Sequence, residues 1–297
     1  MEILVGTGVA LITPFNQDKS IDFNALERLI EYQIAGGTNY LVVLGTTGET
    51  ATLSKSEKEE VFRFVADKAQ GRIPLVAGIG GNNTQDIIEQ IQRVDSRAYS
   101  AVLSVSPYYN KPTQEGIYQH YKAISDVSPL PLILYNVPGR TGSNIESATT
   151  IRLAENCPNI VGIKEASGNF NQYSEIMRDK PDNFLLISGD DGTFLPMAAL
   201  GARGLISVLG NALPETINTL VSAGLENDFE SARRLHSKVL DIIDLCFIEG
   251  NPAGIKAILH QKGLCMNDVR LPLVEVSENT VEAITAELQR LNNDILA

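Results

Sequence analysis

The sequence is poor in cysteine, with three in 297 residues. Cys157, Cys246 and Cys265 are odd in number, far apart and in no C-x-x-C spacing, which argues against a disulfide framework or a zinc site. They read as reduced, mostly packing residues. Histidine is equally scarce: His120, His236 and His260 do not cluster near the motifs described below, so neither metal nor histidine chemistry is assigned. Basic side chains are in the minority, 24 against 36 acidic ones, for a formal net charge of -12. That balance argues against binding nucleic acid or an anionic membrane through a basic face, and any anionic substrate must be held by a local site. Long apolar runs are also missing. No stretch approaches the ~20 residues of a membrane span, and Met1-Glu2-Ile3-Leu4 lacks the basic start and apolar core of a signal peptide, so a cytoplasmic protein is expected. The glycine-rich Gly78-Ile79-Gly80-Gly81-Asn82 fits neither G-x-G-x-x-G nor a P-loop, and reads as a loop folded close to a strand end.

What is present is a regular alternation. Short β-prone runs recur at Val9 to Ile12, Tyr40 to Leu44, Leu75 to Gly78, Ala101 to Val105, Leu132 to Tyr135, Ile160 to Lys164, Leu185 to Ser188 and Leu205 to Val208. Between them lie amphipathic stretches such as Phe23 to Ala35, Ser56 to Lys68 and Thr84 to Val94, with apolar residues three and four apart. Eight strands alternating with helices is the count of an α/β (β/α)8 barrel, a TIM barrel. After Val208 the strand signal stops, and the chain reads as helices broken near Gly224, at Asn251-Pro252 and around Leu271-Pro272. The expected organisation is a catalytic barrel over 1–225 and a small C-terminal helical region over 226–297.

Lys164 closes the run Ile160-Val161-Gly162-Ile163-Lys164-Glu165. A lysine at the carboxyl end of a buried parallel strand stands at the mouth of the sheet, where desolvation helps an ammonium lose its proton and attack a carbonyl to form a Schiff base. In a barrel, active sites form on that rim. The same rim receives Thr46 and Thr47 in Gly45-Thr46-Thr47-Gly48-Glu49, Tyr108 and Tyr109 in Ser106-Pro107-Tyr108-Tyr109-Asn110, and Tyr135 with Arg140 in Tyr135-Asn136-Val137-Pro138-Gly139-Arg140-Thr141. Each has a plainer reading, as a turn hydroxyl, a packing ring or a loop anchor. Their coincidence on one rim favours chemistry. Hydroxyls can relay protons without adding charge, and a guanidinium can fork onto a carboxylate.

These four motifs resemble those of the 4-hydroxy-tetrahydrodipicolinate (dihydrodipicolinate) synthase family, within the lysine-dependent pyruvate aldolase superfamily. The likeness extends to Ser188-Gly189-Asp190-Asp191, Gly204 to Val208, Asn251-Pro252 and Arg270-Leu271-Pro272, in order and spacing over nearly the whole chain. It implies a Schiff-base-forming lyase that condenses pyruvate with L-aspartate 4-semialdehyde on the route to diaminopimelate and lysine, with no metal or organic cofactor. Carried over residue by residue, Lys164 would form the imine, and Tyr135, Thr46 and Tyr109 the proton relay, with Tyr109 reaching into a neighbouring subunit's site. Thr47 would hold the pyruvate carboxylate and Arg140 that of the semialdehyde, while backbone groups of Gly189 and Ile206 would line the pocket. A homotetramer built as a dimer of dimers is implied. The nearest rival, N-acetylneuraminate lyase, is disfavoured by Arg140 and Thr46, and a non-catalytic barrel by the presence of the whole set.

The resemblance also implies a lysine-binding cleft at Thr50, Ala51, Lys55, Lys58, Asn82, Asp86 and Tyr108. Lys55 and Lys58 stand where lysine-sensitive forms often carry histidines, and Asp86 replaces a glutamate. Like-charge repulsion then predicts weak or absent inhibition by lysine.

Overall fold

Runs of β-branched and aliphatic residues buried on both faces form the eight strands: β1 Gly6–Ala10, β2 Tyr40–Val43, β3 Leu75–Gly78, β4 Ala101–Val105, β5 Leu132–Asn136, β6 Ile160–Glu165, β7 Leu185–Ser188 and β8 Gly204–Ser207. The computed structural model describes residues 2–296, with side chains described over 2–291. Each strand pairs in parallel with its neighbours in sequence, and β8 returns to β1 to close the barrel. The amphipathic stretches form the outer layer: α1 Phe23–Ala35, α2 Lys55–Ala69, α3 Thr84–Arg93, α4 Gln114–Val127, the single turn α5 Pro138–Thr141, α6 Ser147–Asn156, α7 Phe170–Asp179, α8 Phe194–Leu200 and α9 Pro214–Leu225. Polar caps mark several starts. Ser54 and Glu57 make a reciprocal capping box on α2, and Asp22, Asn83, Thr113 and Asn169 each accept from a backbone N–H of the helix that follows. Beyond the barrel follow α10 Phe229–Leu245, α11 Ala253–Gln261 and α12 Glu278–Leu296.

The fold is the TIM barrel expected from the alternation, with two strand starts displaced and several strand ends shifted by one or two residues. β1 begins at Gly6 and β8 at Gly204, earlier than the apolar runs suggested. Glycines hid them. Gly8 is needed because a Cβ there would stand 2.2 Å from the ring of Tyr40, which is fully buried in the barrel interior. A glycine that weakens strand propensity is thus what lets the large neighbouring ring in.

One irregularity aims the key lysine. Leu132 pairs with Ile160, but Ile133 pairs with Gly162, so Val161 is an extra residue on β6. Side chains alternate along a strand, and an inserted residue re-phases all that follow it. Ile133 and Tyr135 belong to the cluster inside the barrel, and their partners across β6 are Gly162 and Lys164. Ile163 instead packs in the outer cluster beneath the helices. Without the bulge, the phase of Val161 would turn Lys164 outward.

Gly8→Ala should lower thermal stability by about 1–3 kcal/mol through overpacking against Tyr40. Gly139→Ala, where nothing lies within 4 Å of an added Cβ, should change it by less than about 1 kcal/mol. Melting temperatures of the two variants check the contrast, and equal shifts would contradict this packing account.

Candidate active site

At the carboxyl rim lies a cavity of about 150 Å³ whose wall includes Thr46, Thr47, Tyr135, Arg140, Lys164 and Gly189. Lys164 is only 5 % exposed, and its Nζ stands 4.3 Å from the centroid of the Tyr135 ring. Adjacent register on β5 and β6 puts the two side by side. Gly189 is required by the same amine: a Cβ there would come within 2.9 Å of Lys164 Cε. The structure therefore brings together six of the eight catalytic and substrate-binding residues read from the sequence.

The other two lie elsewhere. Ile206 is buried in the barrel interior and does not line this cavity; Val208, two residues on, does. Tyr109 is 88 % exposed with a φ of 70°, on a loop held to its neighbour by Asn82 Nδ2 donating to the Tyr108 carbonyl and Asn110 Nδ2 donating to that of Asn82. Within one chain it projects into solvent.

Two buried carboxylates brace the rim. Glu165, directly after the lysine, points out of the barrel and accepts from Asn136 Nδ2 at 2.7 Å, Gln172 Nε2 at 2.8 Å and Ser167 Oγ at 2.7 Å. Burial pushes its pKa up, and the donors pull it back. Asp191 accepts from the Ser207 hydroxyl and from the Val208 N–H at 2.9 Å, fixing the turn that presents Val208; burial likewise raises its pKa.

The threonine loop is held from the far end of the chain. Asn251 Nδ2 donates to Thr47 Oγ1 at 3.0 Å, which leaves the Thr47 hydroxyl hydrogen free to donate to a ligand. Two residues on, Glu49 takes a left-handed φ of 52° and meets Lys256 of α11 at 2.5 Å, with side chains 1 % and 0 % exposed. Lys256 also donates to the Asp268 carbonyl at 2.8 Å and sits 4.1 Å from the Phe15 ring centroid, while the Arg270 N–H donates to Glu49 Oε2 at 3.0 Å. Burial draws the Lys256 pKa down and Glu49 draws it up. Arg270 then forks onto Glu57, holding that carboxyl at about 2. Sequence reading noted Asn251 and Arg270 only as motif members and missed Glu49 with Lys256. Their partners lie some two hundred residues away, which no local pattern reports.

A second, wider cavity of about 500 Å³ shares Thr46 and Arg140 with the first. Thr50, Ala51, Lys58, Asn82, Asp86 and Tyr108 line it, and Lys55 stands in an adjoining groove with Lys58 and Asp86. Burial and the charge of Lys55 lower the Lys58 pKa. The three cysteines are buried and free. Among the described residues no group of three His, Cys, Asp or Glu side chains could hold a metal, and no helix is long and apolar enough to cross a membrane.

The profile of the dihydrodipicolinate synthetase family matches residues 4–291. The chain belongs to that family. It is 51 % identical over 293 residues to a 4-hydroxy-tetrahydrodipicolinate synthase of Flavobacterium psychrophilum, covering 98 % of this chain and 100 % of the relative. The solved dihydrodipicolinate synthase from Aquifex aeolicus superposes with a TM-score of 0.95 at 40 % identity, over 97 % of this chain and 98 % of that one. A monomeric dihydrodipicolinate synthase variant also superposes at 0.95, with 37 % identity over 98 % of this chain and 97 % of the other.

Lys256→Met should cost about 3–5 kcal/mol, because it strands the Glu49 carboxylate in the interior. Adding Glu49→Gln should recover most of that loss. Denaturant unfolding of the single and double variants measures both, and a double variant as unstable as the single one would refute the charge argument.

Proposed function

We propose that the chain acts as its relatives are named to act, as a 4-hydroxy-tetrahydrodipicolinate synthase condensing pyruvate with L-aspartate 4-semialdehyde. The observation that carries this reading is the buried amine of Lys164 beside the Tyr135 ring, in a cavity that also holds Thr46, Thr47 and Arg140. The amine adds to the ketone of pyruvate, water leaves, and the resulting imine is an electron sink. Deprotonation of the methyl group then gives an enamine nucleophile that attacks the aldehyde, without metal or organic cofactor. Tyr135, Thr46 and the partner subunit's Tyr109 move the protons. Thr47 holds the pyruvate carboxylate with the hydroxyl that Asn251 orients, and the backbone of Gly189 stands in the cavity wall, with that of Ile206 on the strand beneath it. Arg140, exposed and without a carboxylate partner among the described residues, takes the carboxylate of the semialdehyde.

In this reading the barrel of residues 1–225 carries the chemistry, residues 226–297 brace it, and the enzyme works in the cytoplasm as a homotetramer. The solvent-facing Tyr109 supports a site completed by a second copy. Sedimentation at assay concentration reads the assembly, and a fully active monomer would contradict the shared site.

Borohydride reduction in the presence of pyruvate should fix an adduct on Lys164, located by peptide mass analysis. Lys164→Arg should lose the adduct and on the order of 10⁴-fold in kcat. Arg140→Ala should raise the semialdehyde KM by roughly 10–100-fold. Turnover with N-acetylneuraminate but not with the semialdehyde would replace the synthase reading with the lyase one.

Lysine should inhibit weakly or not at all. The cleft of Thr50, Ala51, Lys58, Asn82, Asp86 and Tyr108 already holds one ammonium beside that of Lys55, so a cationic effector meets like charge. Activity measured across lysine concentrations checks this, and strong inhibition below millimolar lysine would overturn it.

A further inference from the structure

The cavity at Lys164 carries an acceptor that the chemistry above leaves unused. Asn251 is 7 % exposed and stands in the cavity wall. Its Nδ2 is committed to Thr47, but its Oδ1 is buried with no hydrogen-bond partner. Leaving a buried amide oxygen unsatisfied is costly, so a donor arriving with the ligand is the natural partner.

A negative group shares that wall. Asp190 lines the same cavity, where the other charged side chains are the cations Lys164 and Arg140. The Thr193 N–H donates to Asp190 Oδ1 at 3.0 Å and orients the carboxylate. No salt bridge joins it to a cation among the described residues. His236 is near enough to feel its charge, which draws the imidazole pKa up while burial draws it down further. The ring of Phe247 lines the cavity as well.

Resting on the proposed reaction, we infer that Asp190 and Asn251 Oδ1 form a receptor for the α-ammonium of the semialdehyde. Pyruvate offers neither an N–H nor an O–H donor, whereas the second substrate carries three N–H donors on one positive centre. A carboxylate, an amide oxygen and an aromatic face are the groups that bind such a centre once water is excluded. The charges then match: Arg140 takes the semialdehyde carboxylate and Asp190 its ammonium. A site built to bond an amine rejects the analogue that lacks it, because its own acceptors are left unpaired.

Succinate semialdehyde, which lacks only that amine, is the probe. It is measured as a competitor of L-aspartate 4-semialdehyde on the full-length enzyme saturated with pyruvate. In the wild type its Ki should exceed the semialdehyde KM by about 10–100-fold, the range of a charged hydrogen bond. Asp190→Asn should raise that KM toward the Ki of the analogue and move the Ki less than twofold. Asn251→Ala should lose the same discrimination and also weaken pyruvate, because Thr47 loses its donor. An analogue that competes as well as the substrate binds in the wild type overturns the inference without any variant. So does an Asp190→Asn change that moves both ligands equally or leaves KM unaltered. Borohydride trapping of pyruvate separates the levels. A wild type that traps pyruvate but ignores the amine sinks this inference alone, and one that traps nothing sinks the proposed function with it.

Discussion

One extra residue in β6 decides whether this barrel holds an amine inside its rim. Val161 has no partner of its own across β5, and its insertion rotates Gly162 and Lys164 into the interior and Ile163 and Glu165 out of it. Both faces gain. Inward, the amine meets Tyr135 at matched register, in a layer where Gly189 leaves room for its chain. Outward, Glu165 finds three amide and hydroxyl donors that lock the strand end. The placement of the lysine is thus a property of backbone phase, with the side chains selected to fit.

The second constraint is charge buried at a distance. Glu49 ends the threonine loop in a left-handed conformation that a non-glycine residue adopts only when its surroundings enforce it. Lys256 and the Arg270 N–H supply that enforcement, and Asn251 sets the Thr47 hydroxyl nearby. Cavity-lining groups on the barrel therefore depend on the helices that follow it.

Much of the fold was legible because (β/α)8 architecture repeats a local signal. Apolar runs marked β2 through β7, and their carboxyl ends marked Thr46, Thr47, Tyr135 and Lys164 as neighbours on one rim. Legibility failed where glycine replaced a side chain, at the starts of β1 and β8, since the close packing of Gly8 against Tyr40 and of Gly204 against the Gly6 backbone leaves no propensity signal. It failed again for the bulge, which looks like any other valine-glycine step in a strand. Glu49 with Lys256 was invisible for a third reason: each residue looks like a surface charge until the fold joins positions 207 apart. At the end of β8 the cavity wall is formed by Val208, two residues beyond Ile206.

The buried pair of Glu49 and Lys256 also bears on modularity. Recombination that grafted another tail onto this barrel would bring in a charge-mismatched interior unless the incoming segment carried its own cation at the same depth. The β2 loop and α11 are therefore interchangeable only as a matched set, and the unit of exchange in this chain is a pair of distant segments.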